Sequence, residues 1–396
     1  MLGLSALCLA TWVGLIGLHG RFWQKGPTLK AAPARRDRAW PPVSVVVPAR
    51  NEAEGVADSL RSLLTQDYPG PFRIVLVDDG SDDGTGAIAR DLPGALPDGT
   101  GRLAVIDGRP RPAGWSGKLW AVAQGVEEAR RLGHGADGFF LLCDADIVHD
   151  PAHLTTLVEK ATRSRLDQVS EMVALNCESW AERALVPAFV FFFQLLYPFA
   201  KVNDPRSRVA AAAGGTVLIR VQALDRVGGI EALKGALIDD VTLATRVKRS
   251  GGTIWLGHSG LARSVRPYPG PADVWRMVAR TAYVQLRFSP LLLLGTVAGM
   301  GVVWLAPLGC LVWGRGAARA MGGAAWVLST ASFLPTLRRF RLAPSWALAL
   351  PGIALFYTAA TIGSAIDHHR GRGVVWKSRA YRDDGAAGDA GDPRVA

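Results

Sequence analysis

Two aspartates one residue apart, Asp144-Ala145-Asp146, follow the apolar run Phe139–Cys143. Carboxylates at that spacing beyond a buried strand are hard oxygen donors. They suit Mg²⁺ or Mn²⁺, cations that share their coordination with phosphate oxygens, and no His or Cys spacing here suggests zinc. Alone, such a pair is better explained by a turn with two solvated carboxylates. A second acidic pair, Asp78-Asp79, follows the run Ile74–Val77, and Pro48-Ala49-Arg50-Asn51-Glu52 follows Val43–Val47. Acids gathered on one edge repel one another, and a cation offsets that repulsion. A third pair, Asp239-Asp240, comes after Gly228-Gly229 and opens the helical stretch Val241–Arg249. Acids there cap a helix, or one of them serves as a general base toward an attacking hydroxyl. Lys118, in the Gly-rich loop Gly114-Trp115-Ser116-Gly117-Lys118, either contacts a phosphate or is a solvated lysine. The glycine spacing and the subsequent Ser/Thr of a P-loop are missing.

The elements that carry these residues emerge from hydrophobic periodicity. Val43–Val47, Ile74–Val77, Leu103–Ile106 and Phe139–Cys143 read as buried strands. Val56, Leu60, Leu63 and Leu64 fall on one helix face. Alternating strands and helices predict an α/β fold with a mostly parallel sheet covered on both sides. Such sheets bind ligands beyond the carboxyl ends of their strands, where all three strand-end clusters lie.

The chain has 396 residues, about two modules' worth, with 49% hydrophobic and 20% charged residues, which excludes a disordered or fibrous chain. Forty-five Lys and Arg against 34 Asp and Glu leave a formal charge of +11. That balance fits nucleic acid, an anionic membrane face or a phosphorylated substrate. The basic residues sit beside apolar segments rather than on an aromatic-interleaved face, so nucleic acid is not expected. Cys8, Cys143, Cys177 and Cys310 form no CxxC pair, and a reduced compartment is expected.

Leu2–Leu18 is uncharged and reads as a retained N-terminal anchor (residues 1–20). The basic linker 21–42 after it holds Arg21, Lys25, Lys30, Arg35, Arg36 and Arg38, and places the next region in the cytoplasm. Pro290–Trp313 and Leu342–Ile366 are long enough to span, whereas Ala320–Leu337 is marginal and reads as re-entrant. The tail 367–396 is basic, then Gly/Ala/Asp-rich and expected to be disordered. His149 and His258 have no partners at ligand spacing and read as structural.

The ordered strings Val43–Glu52, Val77-Asp78-Asp79-Gly80-Ser81, Asp144-Ala145-Asp146 and Asp239-Asp240 resemble those of family 2 inverting glycosyltransferases. With Arg266-Pro267-Tyr268 and Gln285-Leu286-Arg287-Phe288, the layout is similar to the hopene-associated glycosyltransferases of bacteria and, more distantly, to ceramide glucosyltransferases. The resemblance implies a GT-A domain over residues 43–268, a nucleotide-diphosphate sugar donor, a divalent metal and a multi-pass protein of the bacterial inner membrane. Pro48, Ala49, Arg50, Glu52, Asp78, Asp79, Lys118, Asp144 and Ala145 would face the nucleotide sugar, with Asp78 and Asp79 holding base and ribose. Asp144 and Asp146 would hold the metal. Asp240, with Asp239, would supply the base, and Gly214, Gly215, Gln285 and Arg287 would lie on the acceptor side. The acceptor string departs from Gln-x-x-Arg-Trp by one residue and lacks Trp; the base motif is Asp-Asp rather than Glu-Asp.

Ala184–Ala200, aromatic and interrupted by Pro187 and Pro198, is a core helix or lies in a membrane interface. Residues 269–289, with Trp275, Val278 and Leu286 beside Arg276, Arg280 and Arg287, read as an amphipathic helix against the bilayer. A lipid acceptor is therefore expected, a hopanoid or a polyprenyl phosphate. The alternative of another class is a non-catalytic membrane scaffold of lipid synthesis.

Overall fold

The computed structural model describes residues 1–34, 37, 39–92, 101–133, 137–370, 374–376 and 379–381. Arg35, Arg36, Arg38, Arg372, Lys377, Arg382 and the acidic end of the tail lie outside them. The chain divides into two compact units, one built from Pro27–Leu175 with Val202–Arg266, the other from Met1–Gly26, Asn176–Lys201 and Pro267–Val374.

The first unit is built on an eight-stranded mixed sheet. In chain order its strands are β1 (Val43–Ala49), β2 (Phe72–Asp78), β3 (Leu103–Asp107), β4 (Phe139–Cys143), β5 (Ile147–His149), β6 (Gln168–Ala174), β7 (Thr216–Arg220) and β8 (Ile254–Ser264), and in space they run β3-β2-β1-β4-β7-β6-β8-β5. The first four are mutually parallel, with Ala49 opposite Asp78 and Asp78 opposite Asp107, so their carboxyl ends share an edge. β7 runs antiparallel to β4 and brings Thr216 opposite Cys143. The four strands expected from sequence are present, each within two residues of its expected ends. Their β-branched and aromatic side chains fill a core that includes Val45, Val47, Leu60, Leu63, Ile74, Leu76, Phe139 and Leu141, all at most 1% exposed. The helix Val56–Leu64 buries the four apolar positions read from its periodicity.

A polar chain runs through this core. His149 is not the lone histidine that spacing suggested: its Nδ1 lies 2.9 Å from His153 Nδ1 and its Nε2 lies 3.1 Å from Cys143 Sγ. His153 Nε2 in turn bonds Glu171 Oε1, which also accepts from Thr216 Oγ1 at 3.1 Å. Each imidazole uses both nitrogens, so the two rings link Cys143 to Glu171. Burial, and then the neighbouring His153, hold His149 well below the usual histidine range.

The second unit is helical. Its main helices are Leu2–Leu18, Trp180–Leu196, Pro271–Gln285, an apolar run Pro290–Trp313 with one π turn at Gly301–Leu305, Gly316–Arg339 and Leu350–His369. Its core is aromatic, with Trp12 edge-on to Trp304 at 5.0 Å and Phe191 5.1 Å from Phe333. Pro307 has no N–H for the carbonyl four residues back, Val303. Trp12 Nε1 donates to that carbonyl at 2.8 Å, and Cys8 Sγ reaches Val302 O at 3.3 Å. Glu182 accepts from the backbone N–H groups of Glu178, Ser179 and Tyr268, which ties the start of Trp180–Leu196 to the segment before Pro271. Among the described residues two helices are long and apolar enough to cross a membrane, Pro290–Trp313 and Pro344–His369; Leu2–Leu18, at 17 residues, is shorter.

A group whose pKa is depressed on folding lets the unfolded chain take up protons first, so stability falls as pH drops below about 6.5, by at most ~1.4 kcal/mol per pH unit for one group. Thermal midpoints measured from pH 7.5 down to pH 5 should therefore decrease. The His149→Gln protein should show a shallower acid slope, and an unchanged slope would assign the acid sensitivity to other groups.

Candidate active site

Two loops at the shared edge are laced together. Arg50, nearly buried, donates Nη1 to Asp79 O at 2.5 Å and to Gly80 O at 2.9 Å. Asn51, with left-handed φ of 50°, donates its N–H to Ser81 Oγ at 3.0 Å and accepts from Asp82 N–H at 3.1 Å. Glu52 N–H reaches Thr85 Oγ1 at 2.8 Å. Asp78 turns its Oδ1 onto Ser81 N–H and Oγ, and a Cβ on Gly86 would stand 2.2 Å from Asp78 Oδ2. A side chain at position 86 would therefore have to push the Asp78 carboxylate aside, and that carboxylate shapes the turn that carries Asp79. The two aspartates are only 8% and 3% exposed.

The acids beyond β4 are held differently. Ser116 caps the helix Gly117–Arg131 by accepting from Leu119 N–H, so Lys118 belongs to the first helical turn rather than to a preceding loop. From there its Nζ lies 2.7 Å from Asp144 Oδ1 and 3.6 Å from Asp239 Oδ2. Asp144 N–H bonds the Gly215 carbonyl at 3.1 Å. A Cβ on Gly214 would sit 3.2 Å from Asp240 Oδ2 and 3.6 Å from Lys118 Nζ, so a side chain there would crowd both groups. Asp239 and Asp240 begin the helix Asp239–Arg249. Pro48, Lys118, Asp144, Gly214, Asp239 and Asp240 line one cleft. Ala145 is buried, and its neighbour Asp146 has partners of its own. Asp146 Oδ2 accepts from Arg266 Nε at 2.8 Å and from Ser264 Oγ at 3.2 Å, while Arg266 Nη2 lies 2.7 Å from Glu52 Oε1.

The charges perturb one another. Burial, and then the adjacent Asp239, push the Asp240 carboxyl up to about 7. Burial raises Asp144 as well, with Lys118 opposing and Asp146 adding to the rise. Burial alone would lower the Lys118 ammonium, but Asp144 and Asp239 hold it above its ordinary value.

Pro48, Lys118, Asp144, Gly214, Asp239 and Asp240 are thus brought together. Gln285 and Arg287 belong to the helical unit, where Gln285 Nε2 donates to Tyr197 Oη at 2.6 Å and Arg287 has φ of 52°. Sequence reasoning passed over Arg266 as a site residue, along with Ser264, Thr85 and Gly86. Only the antiparallel pairing of Ile147 with Ser264 carries β8 to the Asp144–Asp146 loop, and no local pattern announces it.

The profile of glycosyl transferase family 21 matches residues 6–385. The chain belongs to that family. Its motifs resemble those of the family 2 enzymes, and the GT2-type arrangement is common ground. A succinoglycan biosynthesis protein, ExoA, of Rhizobium meliloti is 29% identical over 215 residues, 54% of this chain and 59% of that protein. An undecaprenyl-phosphate 4-deoxy-4-formamido-L-arabinose transferase of Pseudomonas fluorescens is 31% identical over 121 residues, 30% of this chain and 32% of that protein. The matches therefore span less than two thirds of either relative. The mannosyltransferase PcManGT of Pyrobaculum calidifontis, solved with GDP-Man and Mn²⁺, superimposes with TM-score 0.51 at 21% identity over 92% of this chain and 99% of its own. The fold is GT-A-like: a mixed, parallel-dominated sheet with helices.

The Asp240 carboxyl should lose its proton with a midpoint near 7, read from its carboxylate infrared band. Asp239→Asn removes the neighbouring negative charge and should move that midpoint down. A midpoint that stays in place would show that another group sets it.

Proposed function

We propose that this protein is a membrane-bound inverting glycosyltransferase that moves a sugar from a nucleoside-diphosphate sugar to a lipid acceptor. The observation that carries the reading is the convergence of Asp144, Asp239 and Asp240 on Lys118 in one cleft beyond the strand ends. In this reading the catalytic region covers residues 43–268, with an interfacial helix next over 269–289 and a membrane region over 290–366. The catalytic region faces the cytoplasm of a bacterial cell.

Asp240 is the general base, since a carboxyl raised to about 7 holds a proton strongly enough to take one from a hydroxyl near neutrality. It removes the acceptor proton as that oxygen bonds the anomeric carbon, and the bond to the diphosphate oxygen breaks on the opposite face. One displacement of this kind inverts the configuration. Asp239 keeps Asp240 basic. Lys118, beside Asp144, offers its ammonium to phosphate or sugar oxygens. The turn of Asp78 and Asp79, braced by Arg50 and Gly86, receives the base and ribose.

A divalent metal fits the donor set. Asp144 and Asp146 offer oxygen ligands only, and among the described residues no group of three His, Cys, Asp or Glu would enclose an ion by itself. Diphosphate oxygens would complete the coordination, the habit of Mg²⁺ and Mn²⁺. Bound there, such an ion would neutralise charge developing on the leaving diphosphate. The use of Mn²⁺ with a nucleotide sugar by PcManGT supports this assignment.

The lipid acceptor and the membrane rest on the helical unit. Pro290–Trp313 has mean hydropathy 2.0 with only 11% of its apolar window buried, and Leu291 and Leu294 are 77% and 66% exposed. A hopanoid is the favoured acceptor, on the layout of motifs. The partial likeness to an undecaprenyl-phosphate sugar transferase favours a second acceptor, a polyprenyl phosphate. That acceptor is already an anion and needs no strong base.

Purified enzyme given UDP- and GDP-sugars with each lipid, with Mn²⁺ or EDTA, tests the reading. Asp146→Ala and EDTA should both abolish transfer, and full rates in EDTA would refute the metal. With a hydroxyl lipid, Asp240→Asn should lose about 10²–10⁴ in kcat while nucleotide binding persists. A mild effect confined to polyprenyl phosphate would select the second acceptor.

A further inference from the structure

We propose that Arg266 is a built-in stand-in for the divalent cation: it holds Asp146 while the site lacks donor, and turns to the donor diphosphate when the metal takes that carboxylate. The inference rests on the reading of Asp146 as a metal ligand. Five acids, Glu52, Asp144, Asp146, Asp239 and Asp240, stand around this edge, with Lys118 and Arg266 each bridging two of them. Lys118 serves Asp144 and Asp239. Arg266 joins Asp146, beyond β4, to Glu52, beyond β1.

The geometry separates a fixed partner from a movable one. Asp146 is anchored: Val265 N–H donates to its carbonyl at 2.9 Å, Ser264 Oγ reaches its Oδ2, and its side chain is 14% exposed. The Arg266 side chain is 35% exposed and grips through two of its guanidinium nitrogens, Nε toward Asp146 and Nη2 toward Glu52. A guanidinium matches phosphate as well as carboxylate in a forked geometry. With Glu52 retaining Nη2, the group can exchange Asp146 for a phosphate oxygen without leaving the site. A cation arriving without diphosphate must break the Arg266–Asp146 pair and gives Arg266 no new partner in exchange. A cation arriving with diphosphate gives Arg266 a new partner. Metal binding is thereby coupled to donor binding, and bare Mn²⁺ is held weakly.

The test is Mn²⁺ binding by the full-length protein in detergent, read from the electron paramagnetic resonance signal of free Mn²⁺, with and without UDP or GDP. Without nucleotide, Arg266→Gln should bind Mn²⁺ about tenfold more tightly than wild type, because Asp146 no longer carries a competing cation. The gain in Mn²⁺ affinity on adding nucleotide should shrink in the variant. Arg266→Lys, which keeps the charge but not the fork, should stay near wild type for bare Mn²⁺ yet lose part of the nucleotide-linked gain. A residue that merely braced the loop would make Mn²⁺ binding weaker on removal, so equal or weaker binding by a folded Arg266→Gln protein overturns the inference alone. Wild type that takes no Mn²⁺ even with UDP and GDP overturns the metal assignment and the inference with it.

Discussion

Crowding of carboxylates at one sheet edge is the constraint on which the rest of the sheet-bearing unit depends. Parallel strands deliver the residues beyond their carboxyl ends to the same side, and β1, β2 and β4 each deliver acids there. Such an edge would repel itself apart unless cations were built in among the acids. Lys118 reaches it from a helix start fixed by the Ser116 cap, and Arg266 reaches it from the end of β8. Each divides its charge between two carboxylates, so the acids outnumber their protein partners. Burial, with that surplus added, keeps Asp240 protonatable near neutrality, and the surplus leaves the edge receptive to positive charge.

The platform beneath is stiffened by polar contacts rather than by apolar packing alone. Cys143 and Thr216 face each other across β4 and β7, immediately before Asp144 and immediately after Gly215. Both are tied into the buried chain of His149, His153 and Glu171, which also reaches β5 and β6. A buried hydrogen-bonded network favours one arrangement of its strands, because breaking a link leaves a polar group away from water without its partner. The acidic loop therefore sits on four strands whose register cannot slip independently.

The helical unit meets the same demand where its helices are interrupted. Pro307 releases a carbonyl inside an apolar helix, and Trp12 satisfies it. In an apolar surrounding an unpaired carbonyl is costly, so the partner must come from the protein. The short first helix thus packs against Pro290–Trp313 through an assigned hydrogen bond as well as through its rings.

Much of the catalytic sheet was legible in the sequence, because β-branched runs and amphipathic spacing are local signals that burial rewards in any context. The acidic strings after Val47, Val77 and Cys143 were legible for the same reason, since a parallel α/β sheet sends strand ends to one edge. What required the folded chain was every partner at long range. Lys118 looked like a loop residue until the Ser116 cap drew it into a helix. His149 looked solitary because one partner lies four residues on, in another element, and the other ends the preceding strand of the chain. The stretch Ala184–Ala200 read equally as core or interface, and the fold groups it with the helical unit. Arg266 meets Asp146 across 120 residues of sequence only because β8 turns back antiparallel to β5. Local hydrophobic pattern determines which segments become strands and helices; strand order and direction determine which charges must share a site, and those are settled by packing the whole sheet.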